Sequence, residues 1–389
     1  MNRLQEKAQG LKQGLYLHVP FCARQCDFCN FYQRPPSRAE VQEFIQGIAD
    51  ELDSEPPPAT VDTMFWGGGT PGLLSPTDLR SLAESVLSRL AKPPAEWTIE
   101  MAPATVNQEK IKTLLELGVT RFSMGVQSFQ EPLLERLGRV HSLSRIYKAY
   151  EILRQCGADN INLDLIFAIP GQSLQLWEQD LAEAIRLGPE HISTYCLTFE
   201  EDTALWLRLR KGEIEATAPA DEADYYLQTW AQLEAADYAQ YEVSNFARPG
   251  KACQHNLDTW AMQEWAGYGP SASGQQGQLR YTRAHSLEEW LAGLKAGKPA
   301  YADTVDLSPG ILATDALIFG LRCNRGVNLD AWAKRFDMTG TALASQLNTF
   351  ITSLTEDGLA KRNGSLIQLT REGRLLADRI GVEILELSS

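Results

Sequence analysis

Three cysteines, Cys22, Cys26 and Cys29, fall in a CxxxCxxC spacing inside FCARQCDFCNF, directly after the apolar run LYLHV. Thiolates ligate soft metals and iron–sulfur clusters. Three of them leave one metal position open, and an open position is where a substrate or cofactor binds. A structural zinc site asks for four ligands, and this loop supplies three cysteines. Incidental buried thiols, the third reading, need no shared spacing. A second feature is GGGTPGLLS, which follows the apolar run VDTMFW. Gly67, Gly68 and Gly69 either form a plain turn or let the backbone approach a ligand closely. Polar residues then recur at the ends of apolar runs: Glu100 in EMAP, Gln127 in GVQSF, Arg139 in LGRVH and Asp164 in NINLDLIF. A carboxylate inside a buried strand is costly unless partnered. The planar, permanently charged fork of Arg139 suits a carboxylate. His255, in HNLDTW, is either a hydrogen-bonded residue or a metal ligand through its neutral imidazole.

These residues need elements to hold them. VQEFIQGIADEL has the apolar spacing of an amphipathic helix, ended by Pro56, Pro57 and Pro58. Strand VDTMFW, a helix from about Pro76 to Leu90, strand WTIEM, helix NQEKIKTLLELG, strand VTRFSMGVQSF, helices through Cys156, strand NINLDLIF, helix LQLWEQDLAEAIRLG and strand HISTYCLTF follow. The β–α alternation runs from Leu15 to Phe199. The strands read as apolar without alternation, as in a parallel sheet covered by helices. A doubly wound sheet and a partial barrel both fit. In either one a site lies at the carboxyl ends of the strands, and each motif above follows a strand.

A chain of 389 residues allows two or three domains. Its 44% hydrophobic content is ordinary for a globular protein. A net charge of −14 argues against a broad nucleic-acid footprint. Seven cysteines, an odd number with four of them scattered, do not make a disulfide framework and fit a reducing compartment. MNRLQEKAQGLKQG lacks an apolar core, so no signal peptide is expected, and no run is long enough to span a membrane.

With LYLHVP before it, FCARQCDFCNF resembles the cluster loop of the radical S-adenosylmethionine (SAM) enzymes. More narrowly, it resembles the coproporphyrinogen III dehydrogenase group and the related HemW heme chaperones. The resemblance implies a partial (β/α)6 barrel. It implies a [4Fe–4S] cluster held by Cys22, Cys26 and Cys29, with SAM chelated to the fourth iron. GGGTP matches the motif along the amino end of SAM, which points to Gly68, Gly69 and Thr70. Glu100 matches the acid that contacts this SAM. Gln127, Arg139 and Asp164 match positions that contact a second SAM, and Tyr16 and Phe28 fall where the cluster loop meets the two cofactors. IPGQ, from Ile169 to Gln172, matches the turn after that strand.

The resemblance runs on to about Ile384. YEVSNFARPGKACQHNLDTW resembles the HemW stretch YEISxFAxxGxxCxHNxxYW, which implies heme ligation by His255. Thr259 replaces its tyrosine, while Asn256 and Trp260 match. WAGYGPSASG resembles the glycine-rich turn that closes the family's site, with Ser273 where relatives commonly have histidine. GLAKRNGSLIQLT reads as a hairpin wing turning at Asn363-Gly364, followed by a last helix from about Arg371 to Ile384. Basic and acidic residues nearly cancel there, so DNA binding is not supported. The resemblance makes this unit a lid over the barrel mouth. The expected organisation is a tail over 1–14, the barrel over 15–200, an extension carrying HNLDTW over 201–305 and a winged-helix-like α+β cap over 306–389. The function implied is a cytoplasmic heme chaperone holding a cluster, one or two SAM molecules and heme or a similar porphyrin. Heme-acceptor proteins and transient membrane-surface contact are its expected partners. A two-SAM radical methyltransferase or cyclopropanase is the alternative. The oxygen-independent coproporphyrinogen III dehydrogenase has a fourth cysteine two residues after the third, where this chain has Phe31, and a longer segment before the first strand.

Overall fold

The computed structural model describes residues 12–139 and 142–388. Most of the expected tail, and Val140 and His141 of LGRVH, lie outside them. Six strands follow one another in parallel: β1 (Gln13–Val19), β2 (Thr63–Gly68), β3 (Glu96–Met101), β4 (Arg121–Gln127), β5 (Ile161–Phe167) and β6 (His191–Cys196). Between them run α1 (Arg38–Ser54), α2 (Pro76–Leu87), α3 (Gln108–Leu117), α4 (Glu131–Arg136), α5 (Leu143–Gln155) and α6 (Leu174–Leu187). The first helix starts where Ser37 and Glu40 cap each other, the Glu40 N–H donating to Ser37 Oγ at 3.2 Å and the Ser37 N–H to Glu40 Oε2 at 2.9 Å. It buries Val41, Phe44, Ile48 and Leu52, its apolar stripe. α3 and α6 stop at Gly118 and Gly188, both left-handed. β1 and β6 do not pair, so the cylinder stays open between them. This is the partial barrel that the resemblance implied; the β–α rhythm alone fitted a doubly wound sheet as well.

The strands are not uniformly apolar, which corrects the sequence reading. One phase, Leu15, Leu17, Val19, Met64, Trp66, Trp97, Ile99, Phe122, Met124, Leu163 and Leu165, is buried in the main apolar core. The other phase faces the barrel axis and is mostly polar: Tyr16, His18, Thr98, Glu100, Arg121, Ser123, Asn162, Asp164, His191, Ser193 and Tyr195, with Phe65 and Ile166 as its apolar members. The period of two holds along every strand. A helix-covered outer face and a polar inner face produce it, and NINLDLIF and HISTYC display it once the phase is read.

Past the barrel come α7 (Ala204–Arg210), α8 (Pro219–Ala235), β7 (Ala239–Glu242), β8 (Asn245–Ala247) and α9 (Gln254–Trp260). β8 continues the sheet antiparallel to β6. On the other edge β9 (Glu264–Tyr268) runs parallel to β1, followed by β10 (Ser273–Gln276), β11 (Leu279–Arg283) and, after α10 (Leu287–Lys295), β12 (Tyr301–Asp306), giving twelve strands. An ion pair locks this edge to α1. Arg283 Nε stands 3.1 Å from Glu51 Oε1, both side chains being buried. Trp290 Nε1 and the Gly269 N–H also donate to Glu51, at 3.1 and 2.8 Å. The GYGPSASG turn is thus anchored to α1.

The last domain holds α11 (Pro309–Arg322), β13 (Val327–Asn328), α12 (Leu329–Arg335), α13 (Ala342–Glu356), β14 (Ala360–Asn363), β15 (Leu366–Leu369), α14 (Arg371–Leu375) and α15 (Ala377–Ser388). Its own apolar core gathers Leu317, Leu347, Ile351, Ile367 and Ile384. The wing is present, but Asn363 pairs with Leu366, so Gly364 and Ser365 form the turn, one residue later than Asn-Gly implied. The last helix is broken at Leu376. No described residue of this domain lines the cavity at the carboxyl ends of the strands. The domain packs on α9 and β7: Trp260 meets Phe319, Arg322 lies over Trp260, Arg335 donates to the carbonyls of Ala261 and Met262, and Asn324 donates to Gln240 O.

Candidate functional site

A cavity of about 800 Å³ opens at the carboxyl ends of the parallel strands. Cys22, Cys26, Phe28 and Cys29 enter it from the loop after β1. Gly68 at the end of β2, and Gly69 and Thr70 just after it, enter next, with Glu100 from β3, Gln127 from β4, Arg139 after α4 and Asp164 from β5. Every site residue expected from the sequence lines this one space except Tyr16 and His255. No described residue beyond Glu200 lines it, so neither the last domain nor the GYGPSASG turn closes it in this conformation.

The close neighbours of the three glycines are protein atoms, and Gly68 and Gly69 admit no β-carbon without backbone strain or a backbone clash. A β-carbon on Gly67 would lie 2.8 Å from Glu100 Oε2, and one on Gly69 would lie 2.7 Å from the carbonyl oxygens of Val19 and Phe21. At Gly68, whose φ is +92°, it would collide with the His18 ring. The glycine turn therefore clamps backbone to backbone onto the cysteine loop. The Gly69 N–H donates to Val19 O at 2.9 Å, the Thr70 N–H donates to Phe21 O at 2.7 Å, and Thr70 Oγ1 and Cys22 Sγ are 3.2 Å apart. His18 Nε2 lies 3.0 Å from Tyr32 O, a carbonyl that only accepts, so Nε2 carries the proton. His18 Nδ1 then accepts from Tyr16 Oη at 3.2 Å. Tyr16 is thus turned toward His18 beneath the cavity.

Burial dominates the electrostatics. It pushes Glu100 up to about 8, helped by the charge of Asp164. It raises Asp164 too, against the nearby Arg121 and hydrogen bonds from Asn162 Nδ2 at 2.8 Å and Ser123 Oγ at 3.1 Å. It raises Cys22, and raises Cys29 to about 11. A metal or cluster takes up thiolates, so loading this loop releases protons.

Gln127 sits in a strained backbone conformation, φ 71°, at an irregularity in the pairing of β4 with β5. Such a bulge re-aims a side chain. The residues that follow are pinned by Asp180, on α6, which accepts from Ser128 Oγ at 2.7 Å and the Phe129 N–H at 2.8 Å. Gly125 leaves the room that Gln127 Nε2 and Arg139 occupy.

His255 lies at the other end of the barrel. It is 8% exposed, its Nδ1 is 2.9 Å from Thr63 Oγ1, and its ring packs on Phe65 with centroids 5.4 Å apart. Glu96, at the start of β3, accepts from the N–H groups of Gln254 and His255 at 2.9 and 2.8 Å and so satisfies the start of α9. Thr259 Oγ1 donates back to His255 O at 2.9 Å. Ser273 lies on β10 beside Thr282. The structure thus does not bring His255 to the cysteine cavity.

Residues 16–184 match the Radical SAM superfamily, and residues 307–376 match the HemN C-terminal domain. The heme chaperone HemW of Bacillus subtilis (strain 168) is 32% identical over 371 residues, covering 94% of this chain and 97% of that protein. The chain belongs to the HemW family. The heme chaperone HemW of Escherichia coli (strain K12) is 38% identical over 269 residues, covering 67% of this chain and 69% of that protein. A solved structure of coproporphyrinogen III oxidase (HemN) from Escherichia coli, a radical SAM enzyme, overlays with a TM-score of 0.83. It covers 98% of this chain and 92% of that chain at 22% identity, which shows a shared fold.

The cavity of this HemW-family chain suits the cofactors that the radical SAM superfamily implies. Its donor set is three thiols on one loop, which would each bind one iron of a cluster and leave the fourth iron open. Arg139 Nε is buried and has no hydrogen-bond partner among the described protein atoms, as a guanidinium awaiting a carboxylate would be. Asp180, Ser123, Asn162 and Tyr195 escaped the sequence reading. Asp180 left a signal, a carboxylate on the buried stripe Trp177, Asp180, Leu181, Ala184 of α6.

Proposed function

We propose that this chain is a heme chaperone that keeps a [4Fe–4S] cluster and SAM in the barrel cavity and delivers heme to an acceptor protein. The observation that carries this reading is identity to a heme chaperone HemW over nearly the full length of both chains. Cys22, Cys26 and Cys29 would hold the cluster. Gly68, Gly69, Thr70 and Glu100 would hold one SAM, and Gln127, Arg139 and Asp164 a second. When bound, the cluster supplies one-electron reduction of SAM. The chain's own part is to orient and to shield. The polar inner wall presents hydrogen bonds, the apolar outer phase keeps the strands fixed, and Arg139 offers two-pronged contact to a carboxylate.

Heme ligation by His255 belongs to an open form. Its imidazole is buried at the barrel floor beneath α9, and the last domain holds α9 down through Trp260, Arg322 and Arg335. Iron can reach His255 only after α9 lifts. Phe31, at the cavity rim and 61% exposed, stands where the dehydrogenase has its fourth cysteine. A two-SAM methyltransferase draws on Gln127, Arg139 and Asp164, which face the same cavity as the cysteines. One experiment separates the three. Anaerobically reconstituted protein is incubated with SAM, a reductant and either heme plus an apo-heme acceptor, coproporphyrinogen, or methyl-labelled SAM. Transfer of heme without decarboxylation or methyl transfer is the expected result. Decarboxylation of coproporphyrinogen would refute the chaperone reading. No helix among the described residues is long and apolar enough to cross a membrane.

A further inference from the structure

Lys110, near the start of α3, is 6% exposed. Lysine is almost never buried without an anionic partner, yet among the described residues no carboxylate forms an ion pair with it. Its ammonium donates instead to two carbonyl oxygens, those of Gly72 and Thr105, the latter at 3.1 Å. Burial alone lowers it to about 8. The two carbonyls belong to two different turns. Gly72 lies in the 3-10 turn Pro71–Leu73, which continues the glycine run after β2. Thr105 ends the 3-10 turn Pro103–Thr105, a few residues after Glu100. Both turns line the cavity, through Leu73, Ala104 and Thr105. They are fitted closely to each other, since a β-carbon on Gly72 would lie 2.9 Å from Thr105 Oγ1 and 3.0 Å from the Met101 side chain.

We propose that Lys110 is a positioning residue for SAM: its ammonium staples the two turns together from behind, which fixes Glu100 relative to the backbone of Gly68, Gly69 and Thr70. The proposal rests on the SAM site proposed above. A purely structural lysine would be a poor choice here. A buried ammonium is costly to desolvate, and replacing buried charge with an apolar side chain of similar size is often neutral or stabilising. What the ammonium adds over methionine is a pair of donors that reach two loops at once.

The test is Lys110→Met, compared with wild type after anaerobic reconstitution. SAM affinity is measured by calorimetry, iron content by chemical analysis and thermal stability on the protein without SAM. The expected result is SAM affinity weaker by about tenfold or more, with iron content unchanged and melting temperature equal or higher. Lys110→Gln keeps a donor for one carbonyl and should fall between the two; it serves for the same comparison if the methionine variant does not fold. Unchanged SAM affinity in these variants overturns the proposal. So does a loss of affinity that only parallels a fall in melting temperature or iron content. Failure of wild type to bind SAM at all overturns the SAM site itself, a result distinct from either.

Discussion

Asp180→Ala tests whether the strained turn that aims Gln127 is held from behind by a buried carboxylate. The substitution strands two fully buried donors, the Ser128 hydroxyl and the Phe129 N–H, which Asp180 accepts at 2.7 and 2.8 Å, and also frees the part-buried Gln130 Nε2 at 3.3 Å. Each unsatisfied buried donor costs about 1–3 kcal/mol, so about 2–6 kcal/mol is lost when the carboxyl is neutral. Ionisation works against that loss. Burial pushes Asp180 from 3.8 up to about 6. At 1.36 kcal/mol per pH unit, the ionised side chain leaves the fold about 3 kcal/mol less stable than the protonated one. The folded state holds the proton more tightly than the unfolded state, so the wild type loses this stability as pH rises from about 4 through 6. The gap between wild type and Asp180→Ala is therefore smallest at pH 7, and it should widen by about 1.4 kcal/mol on going down to pH 5. Native-state hydrogen exchange over β4 and α4 reads this locally, with the Phe129 amide as reporter. SAM affinity should drop in the same variant, because Gln127 is no longer held at φ 71°. A gap that narrows or stays flat between pH 7 and pH 5, or full SAM affinity in the variant, would refute the reasoning.

Three further outcomes are expected. Gly68→Ala should fold poorly, by about 1–3 kcal/mol, and lose SAM binding, because its β-carbon meets the His18 ring and its φ is +92°; unaltered SAM titration and melting would contradict the clamp. Glu51→Ala should cost about 2–6 kcal/mol by stranding the buried Trp290 and Gly269 N–H donors and by leaving Arg283 with Glu55 as its one carboxylate, read as a lowered denaturant midpoint with β9 to β12 losing exchange protection first. His255 is held neutral by burial, down to about 4 from 6.5, so its share of stability is complete above pH 6.5 and is lost as pH falls toward 4, by about 3 kcal/mol. His255→Ala should lower stability at pH 7.5 and flatten this acid limb, and an acid limb equal to that of wild type would place the titration elsewhere.

The site was legible where its signal is local. Cysteine spacing, a glycine run and strand-end polar residues are short-range features, and the structure places them around one cavity. The β–α rhythm narrowed the fold to a doubly wound sheet or a partial barrel, and the resemblance chose the barrel. The polar inner phase was legible too, in the alternation of NINLDLIF and HISTYC, but attention to overall apolarity hid it. The glycines were expected to let the backbone approach a ligand, whereas the close neighbours in the structure are His18, Glu100 and the Val19 and Phe21 carbonyls, which depend on pairing between β1, β2 and β3. The placement of His255 was out of reach. It depends on Glu96 capping α9 from more than a hundred residues away and on Arg322, Arg325 and Arg335 reaching α9 and the residues just after it. No periodicity in HNLDTW encodes either contact. The contacts of the last domain with α9 and β7 are likewise long-range.

The central claim, that this HemW-family chain binds and passes on heme, is tested most directly by an anaerobic equilibrium titration of the cluster-loaded protein with heme, followed by its Soret band. The account predicts saturation near one heme per chain at micromolar heme or below, with the same protein losing cluster absorption when Cys22, Cys26 and Cys29 are all replaced by serine. A wild-type protein that carries its cluster and binds SAM but shows no saturable heme binding in the micromolar range would contradict it.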